Sequence, residues 1–578
     1  MRQQYAVRSL IIAAGLVVAG VAVLVQMIRI QTSEQAMVFL SQGDRYSGEF
    51  QMFYPERGEI YDRSGHLLAG NRTVYEVGVS LSQMDHPDSM AYILSTHLGL
   101  PYEEIYKKLS ESPESWEYVV IQDYVAMEKV DALKGLVQQL DDADDPRLSG
   151  LAFKPHLQRS YPESSLASNV LGFVTRDGRG YFGIEEKYND LLAGNPVQIW
   201  VPRDPNKASE IPRVPNGTTL VLTLNRDLQA KVESLLDEAL SDYGSPNGTI
   251  VVMDPRNGEI LAMAATPRMD LNNYGNYFSL YDDGSQYNRS IGMSYEPGSV
   301  LKILTMAAAL DAGTVRPDTS FIDTGMIEVG GITIQNWNRD AWGQQNMVGC
   351  LQHSLNVCLA WISTQMGTQA FYGYMERFGI GHSTGIDLSG EATGRLKVPG
   401  DGDWYPVDLG TNAFGQGVAV TPLQMLMAAS SIANDGKMAT PHVLYSMLRD
   451  GHQYNVPPQY AGSPISAETA NTLNEMLAIS LEQESSQALV PGYRLAGKTG
   501  TAQIPTDYGY DVSHTNVSFV GWGPVDDPQF MVYIWLESPS ASIWASETAA
   551  PVFSKVAEQT VILLNIPPDV VRSQVVTK

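Results

Sequence analysis

The first pattern along the chain is an apolar run: from Leu10 to Ile28 almost every residue is hydrophobic, interrupted only by Gln26. A helix rising about 1.5 Å per residue spans a bilayer over that length, so a transmembrane helix is predicted over residues 9–28. A cleaved signal peptide is the competing reading, but no small-x-small site follows the run and its length exceeds a usual signal core. Arg2 and Arg8 precede the run while only Arg29 follows closely. The positive-inside bias therefore puts residues 1–8 in the cytoplasm and the remainder of the chain outside.

Beyond the run, Tyr75, Val77, Val79 and Leu81 alternate with Glu76, Gly78 and Ser80, the period of a half-buried strand. Val130, Leu133, Val137 and Leu140 instead recur at helical spacing within a charged stretch, which predicts an amphipathic surface helix. Pro202, Pro205, Pro212 and Pro215 mark a stiff connection, and the boundary between two modules is placed there. The second module opens with a hairpin pattern: Ile250 to Met253, the turn Asp254-Pro255-Arg256-Asn257-Gly258, then Ile260 to Met263. Val517 to Trp522 and Phe530 to Leu536 predict a second hairpin, followed by a helix over 551–564, and the region 300–440 reads as mostly helical. Strands at both ends with helices between them predict an α+β fold, in which distant segments close one antiparallel sheet covered by helices.

Composition narrows the function. The 578 residues carry a net charge of -26, which argues against nucleic acid, whose phosphates need clustered Lys and Arg. The acidity otherwise means a solvated exterior. Cys350 and Cys358 are eight positions apart in a helix-like stretch, too far to bridge easily, so both are expected as small buried residues. No Cys/His ligand cluster or His-Glu-x-x-His pattern occurs, so no metal is expected.

Candidate chemistry begins at Glu296-Pro297-Gly298-Ser299-Val300-Leu301-Lys302, which runs into an apolar helical pattern ending near Gly313. Ser299 is thereby expected near a helix N-terminus, where first-turn N–H groups favour developing negative charge. Lys302, three residues on, shares its face. An isolated Ser-x-x-Lys is more often an ordinary helix start with a solvated lysine. No other lysine in the chain has a serine three positions before it, however, and two further elements follow in order: Ser354-Leu355-Asn356 and Lys498-Thr499-Gly500-Thr501. Ser-x-x-Lys, a Ser-Asp-Asn-type triplet and Lys-Thr-Gly in that order mark penicillin-binding proteins and class A β-lactamases.

Other segments resemble class B penicillin-binding proteins: Arg57-Gly58-Glu59-Ile60-Tyr61-Asp62-Arg63-Ser64-Gly65, Arg159-Ser160-Tyr161-Pro162 with Val170-Leu171-Gly172, Gly183-Ile184-Glu185, Phe414-Gly415-Gln416-Gly417 and Thr421-Pro422-Leu423-Gln424. Asn169 stands where the family often has histidine and receives no role. The resemblance implies a transmembrane helix at 9–28, an elongated pedestal of dimerisation type over 29–220, a transpeptidase domain of serine β-lactamase-like fold over 221–566, and a tail over 567–578. It implies a D,D-transpeptidase that uses no cofactor and cross-links peptidoglycan stem peptides through an acyl-enzyme on Ser299, which β-lactams also acylate. Lys302 is then the base for acylation, with another group left open for that role, and Ser354 relays the proton. Lys498 keeps Lys302 neutral and, with Thr499, Gly500 and Thr501, receives the substrate carboxylate. Asn356 orients the peptide, and the N–H groups of Ser299 and Thr501 form the oxyanion hole. The nearest rivals are a D,D-carboxypeptidase or β-lactamase, and a non-catalytic sensor or scaffold that activates a polymerase. A partner is implied as well, a membrane-embedded SEDS-type (shape, elongation and division) glycosyltransferase. Glu296 and the triplet ending in Asn356 resemble division enzymes more than elongation enzymes.

Overall fold

The computed structural model describes residues 2–32, 48–113, 116–202, 214–282, 286–484, 486–506 and 509–576. The predicted Pro-rich connection at 202–216 falls largely outside these residues. The chain forms two compact units, residues 1–55 with 194–216, and residues 56–193 with 217–578.

In the first unit, helix α1 (Arg2–Gln31) holds the apolar run, and Leu10–Gln31 is long and apolar enough to cross a membrane. Strands Gly48–Phe53 and Val197–Pro202 pair antiparallel, with Phe50 packed edge-on against Trp200 at 5.0 Å.

The second unit contains two large sheets. One is built on β1 (Ile60–Tyr61), the long β2 (Leu67–Ser80), β3 (Tyr118–Ala126), β4 (Leu151–Ser160) and β5 (Thr219–Leu222). β2 pairs antiparallel with β1, β3 and β4, β1 runs parallel to β5, and the hairpin Leu444–Arg449/His452–Asn455 extends the β5 side. The alternation read from Tyr75 lies in β2 as far as Ser80, with Val77 and Val79 buried, while Leu81 starts a 3₁₀ turn. The predicted amphipathic helix is Met127–Asp141, with Val130, Leu133 and Leu140 buried beneath it. Below this sheet Glu185, fully buried, accepts from Arg57 Nε at 2.8 Å and Arg159 Nε at 2.7 Å. Residues from three of the quoted motifs thus form one buried ionic node. Asn169 is buried too, and its amide donates to the carbonyls of Pro267 and Tyr287 at 3.0 and 2.5 Å.

The second sheet has the order β7-β6-β10-β9-β8, all antiparallel: β6 (Gly248–Met253), β7 (Ile260–Ala265), β8 (Ala496–Thr506), β9 (Gly509–Gly523) and β10 (Phe530–Leu536). Both predicted hairpins are present, joined by pairing of β6 with β10. β6, β7 and β10 are buried along their whole length and read as nearly unbroken apolar runs because each face meets its own core. Ile250, Val252, Val532 and Ile534 pack against α2 (Arg226–Tyr243) and the C-terminal helix Ala549–Leu563. Val251, Met253, Tyr533 and Trp535 belong to the larger core that includes α3 (Lys302–Asp311).

The same core holds α4 (Met347–Gln352), α5 (Asn356–Met366), α6 (Pro422–Ala433) and α7 (Ala467–Glu484). Every residue of α6 is buried, and its start is a capping box: Gln424 N donates to Thr421 Oγ1 at 3.1 Å and Thr421 N to Gln424 Oε1 at 2.8 Å. That reciprocal pair is a structural reason for the Thr-Pro-Leu-Gln segment.

The expectation for the cysteines is corrected. Cys350 and Cys358 form a disulfide, with Cα atoms 6.1 Å apart. One continuous helix would separate them by about 12 Å. Instead α4 stops at Gln352, the chain reverses through His353-Ser354-Leu355 with Ser354 at φ 52°, and α5 starts at Asn356. The reversal brings the two sulfurs together across the base of the turn.

Candidate active site

Ser299 lies on a 3₁₀ turn, Gly298–Leu301, that leads directly into α3. Two glycines allow the turn its position. Gly298 N donates to Gly415 O at 3.1 Å, and a Cβ on Gly415, itself at φ 84°, would stand 2.2 Å from Gly298 O. On the other side the turn lies along β8, the edge strand of its sheet. A Cβ on Gly500 would come within 2.3 Å of Ser518 Oγ and 3.0 Å of Pro297 O. The glycine of Lys498-Thr499-Gly500 is therefore required by close packing between the strand and the Ser299 turn.

The turn, the Ser354 reversal and β8 enclose a cavity of about 750 Å³ lined by Ser299, Ser354, Asn356, Lys498, Thr499 and Thr501. Lys302, fully buried, reaches this group from α3. Its Nζ lies 2.5 Å from Ser354 O, 3.1 Å from Ser354 Oγ and 2.8 Å from Asn356 Oδ1. Asn356 Nδ2 donates to Gln335 O at 3.2 Å, which fixes its amide with the oxygen toward Lys302. The left-handed conformation of Ser354 turns both its carbonyl and its hydroxyl to the same amine.

Across the cavity Lys498 Nζ donates to Thr499 O and Oγ1 at 3.3 and 3.2 Å. Thr501 Oγ1 accepts from Ala545 N at 3.2 Å, so its own proton is free for an incoming acceptor. Burial, and secondarily the Lys498 ammonium, hold Lys302 well below the usual lysine range. Burial brings Lys498 down to about 8 against the opposing pull of the Glu484 carboxylate. A serine–lysine–serine cluster around the buried Lys302, with a second lysine facing it, is suited to activating a hydroxyl for acyl transfer, and among the described residues no carboxylate is hydrogen-bonded to Lys302 to hold its proton.

Residues 248–558 match the penicillin binding protein transpeptidase domain, and residues 53–208 match the penicillin-binding protein dimerisation domain. The stage V sporulation protein D of Bacillus subtilis is 34% identical over 535 residues, covering 89% of this chain and 79% of that protein. The chain belongs to the class B penicillin-binding proteins. A peptidoglycan D,D-transpeptidase, FtsI of Escherichia coli, is 26% identical over 545 residues, covering 92% of this chain and 88% of that one. Among solved structures, penicillin binding protein 3 of Mycobacterium tuberculosis complexed with aztreonam superposes with a TM-score of 0.69 at 26% identity, over 90% of this chain and 98% of that one.

In this class B penicillin-binding protein the residues named from sequence come from three separate segments and meet at one cleft: Ser299 and Lys302, Ser354 and Asn356, and Lys498 to Thr501. Several neighbours escaped the sequence reading. Glu296, quoted only as part of a motif, accepts from Gly417 N at 3.0 Å and Tyr510 OH at 3.2 Å, tying the Ser299 segment to the Phe414–Gly417 loop and to β9. Burial pushes its carboxyl up, against those two donors and Lys397. Asn336, Trp337 and Trp544 also line the cleft. They lie in irregular segments without periodicity or motif, so no local signal marked them.

Proposed function

We propose that this chain is a D,D-transpeptidase that cross-links peptidoglycan stem peptides through an acyl-enzyme on Ser299. The observation that carries the reading is the fully buried Lys302, held by Ser354 and Asn356 on one wall of a cleft whose opposite wall presents Lys498. The names of FtsI and of the aztreonam-bound structure support it.

In this mechanism the terminal carboxylate of a D-alanyl-D-alanine donor lies against Lys498, Thr499 and Thr501, and the Asn356 amide meets the peptide backbone. Ser299 Oγ attacks the carbonyl carbon of the penultimate residue while its proton passes to Lys302 Nζ, with the Ser354 hydroxyl as relay. The N–H groups of Ser299 and Thr501 bind the resulting oxyanion. The C–N bond breaks, the proton moves on to the departing amine, and D-alanine leaves an ester on Ser299. An amine of a second stem peptide then attacks the ester, surrenders a proton to the same lysine, and leaves as the cross-linked product with Ser299 restored. A β-lactam enters the first half-reaction, and its ring nitrogen stays tethered.

The helix at 9–28 would anchor the chain once in the cell membrane with residues 1–8 cytoplasmic, the pedestal (29–220) and transpeptidase domain (221–566) outside, and 567–578 as a tail. A SEDS-type glycosyltransferase is the proposed polymerase partner, and the FtsI and sporulation relatives support a role at a division or sporulation septum. The test is labelled penicillin followed by peptide mass spectrometry. One long-lived adduct on the Ser299 peptide, absent in Ser299→Ala, is expected. No adduct on folded wild-type protein would favour a scaffold, and release of D-alanine without cross-linked dimers would favour a carboxypeptidase.

A further inference from the structure

Trp337 and Trp544 come from opposite walls of the cleft and meet edge-to-face, with ring centroids 5.2 Å apart and planes at 70°. Both remain substantially solvent-exposed, at 51% and 37%. The two residues are tied to different parts of the machinery, Trp337 through its indole and Trp544 through its backbone. Trp337 Nε1 donates to the carbonyl of His353, the residue before Ser354, at 3.3 Å. The two residues before it are stitched to the same turn, since Asn356 Nδ2 donates to Gln335 O at 3.2 Å and Val357 N to Asn336 Oδ1 at 3.2 Å. On the other wall, Trp544 N donates to Ser542 Oγ at 3.2 Å and Trp544 O accepts from Thr548 Oγ1 at 2.8 Å. Its neighbour Ala545 supplies the N–H that orients the Thr501 hydroxyl.

We propose that Trp337 and Trp544 form an aromatic clasp across the cleft mouth, and are positioning residues that hold the Ser354–Asn356 turn and the Thr501 hydroxyl in register. Aromatic pairs prefer this edge-to-face arrangement, and two large side chains left partly in water gain contact area from each other. The clasp links the wall that takes the proton with the wall that takes the carboxylate, so one contact sets the distance between them. It rests on reading this cleft as the acyl-transfer site.

The test is a double-mutant cycle on the full chain in detergent, comparing wild type with Trp337→Ala, Trp544→Ala, the double variant and Trp544→Phe. Benzylpenicillin acylation of Ser299 and turnover of a D-alanyl-D-alanine thioester donor are measured alongside thermal melting. Each alanine variant is expected to slow acylation on the order of three- to tenfold, the rate equivalent of one aromatic pair. The loss falls on kcat more than on KM, the double variant is no slower than the slower single, and melting is unchanged. Trp544→Phe, which keeps a ring edge, recovers most of the rate. Additive losses, or either single variant at the wild-type rate, would overturn the clasp. A wild-type protein with no Ser299 adduct would instead overturn the acyl-transfer reading beneath it.

Discussion

The sharpest consequence of the geometry is an alkaline limit on acylation set by Lys498. Burial places its pKa at about 8, so the ammonium proposed to receive the substrate carboxylate discharges within an accessible range. The sign follows from the depressed value: the charge is present below that pKa and is lost as pH rises through it. About nine-tenths of the protein carries the charge at pH 7 and about one-tenth at pH 9, from the titration of one site. A hydrogen bond to a charged group is worth about 1.5–3 kcal/mol, so the second-order acylation constant should fall toward a floor roughly 10- to 150-fold lower. The assay is competition of a carboxylate-bearing penicillin against a fluorescent penicillin between about pH 6 and pH 10. Lys498→Arg keeps a cation that does not titrate there and should lose the alkaline limb, though its maximum is lower because the guanidinium has another shape. Lys498→Gln removes the second of the two causes that depress Lys302, so the acid limb should move to higher pH. A wild-type profile flat through this range, or an alkaline limb that survives in Lys498→Arg, would refute the reasoning.

Gly415→Ala should destabilise the protein by about 1–3 kcal/mol and slow acylation, because the new Cβ at φ 84° meets Gly298 O at 2.2 Å beside Ser299. Melting with penicillin acylation checks it, and unchanged values would mean that the loop yields. Glu185→Ala leaves the buried Arg57 and Arg159 without their shared carboxylate and should cost about 3–5 kcal/mol in a chemical denaturation series. Replacing Cys350 and Cys358 together by alanine opens a short loop and should cost roughly 2–3 kcal/mol by the same measurement, with little loss if the α4–α5 turn is held by its hydrogen bonds alone.

What could be read from sequence followed physical accounting rather than importance. The strands Ile250–Met253 and Phe530–Leu536 were legible because both faces are buried and leave continuous apolar runs. β8 carries Lys498 and Thr501 and is just as central, but its run Ala-Gly-Lys-Thr-Gly-Thr has no apolar period: it is an edge strand with one side facing the cleft. Only its motif betrayed it. The Ser354 triplet was likewise recognised by order, while the reversal at φ 52° that makes it work was hidden inside an apparently helical stretch. That hidden turn is also why the disulfide was missed. The Trp337–Trp544 contact joins segments that no spacing relates, so it was accessible only once the chain had folded.

Burial of Lys302 explains why this cluster suits its proposed role before and after proton uptake. As a neutral amine it has two N–H donors and one lone pair. Ser354 O and Asn356 Oδ1 can only accept, and the Ser354 hydroxyl can give its proton to the lone pair. As an ammonium it has three donors, and the same three oxygens accept them once the hydroxyl rotates. No atom need move beyond a single hydroxyl hydrogen, so little reorganisation opposes proton transfer from Ser299. The hydroxyl that turns over is the one on the left-handed Ser354, and the amide that does not is pinned by Gln335 O. A carboxylate in place of either oxygen would lock the proton on the lysine. The polar but uncharged oxygens that surround Lys302, with the opposing cation across the cleft, are therefore what keeps Lys302 available as a base.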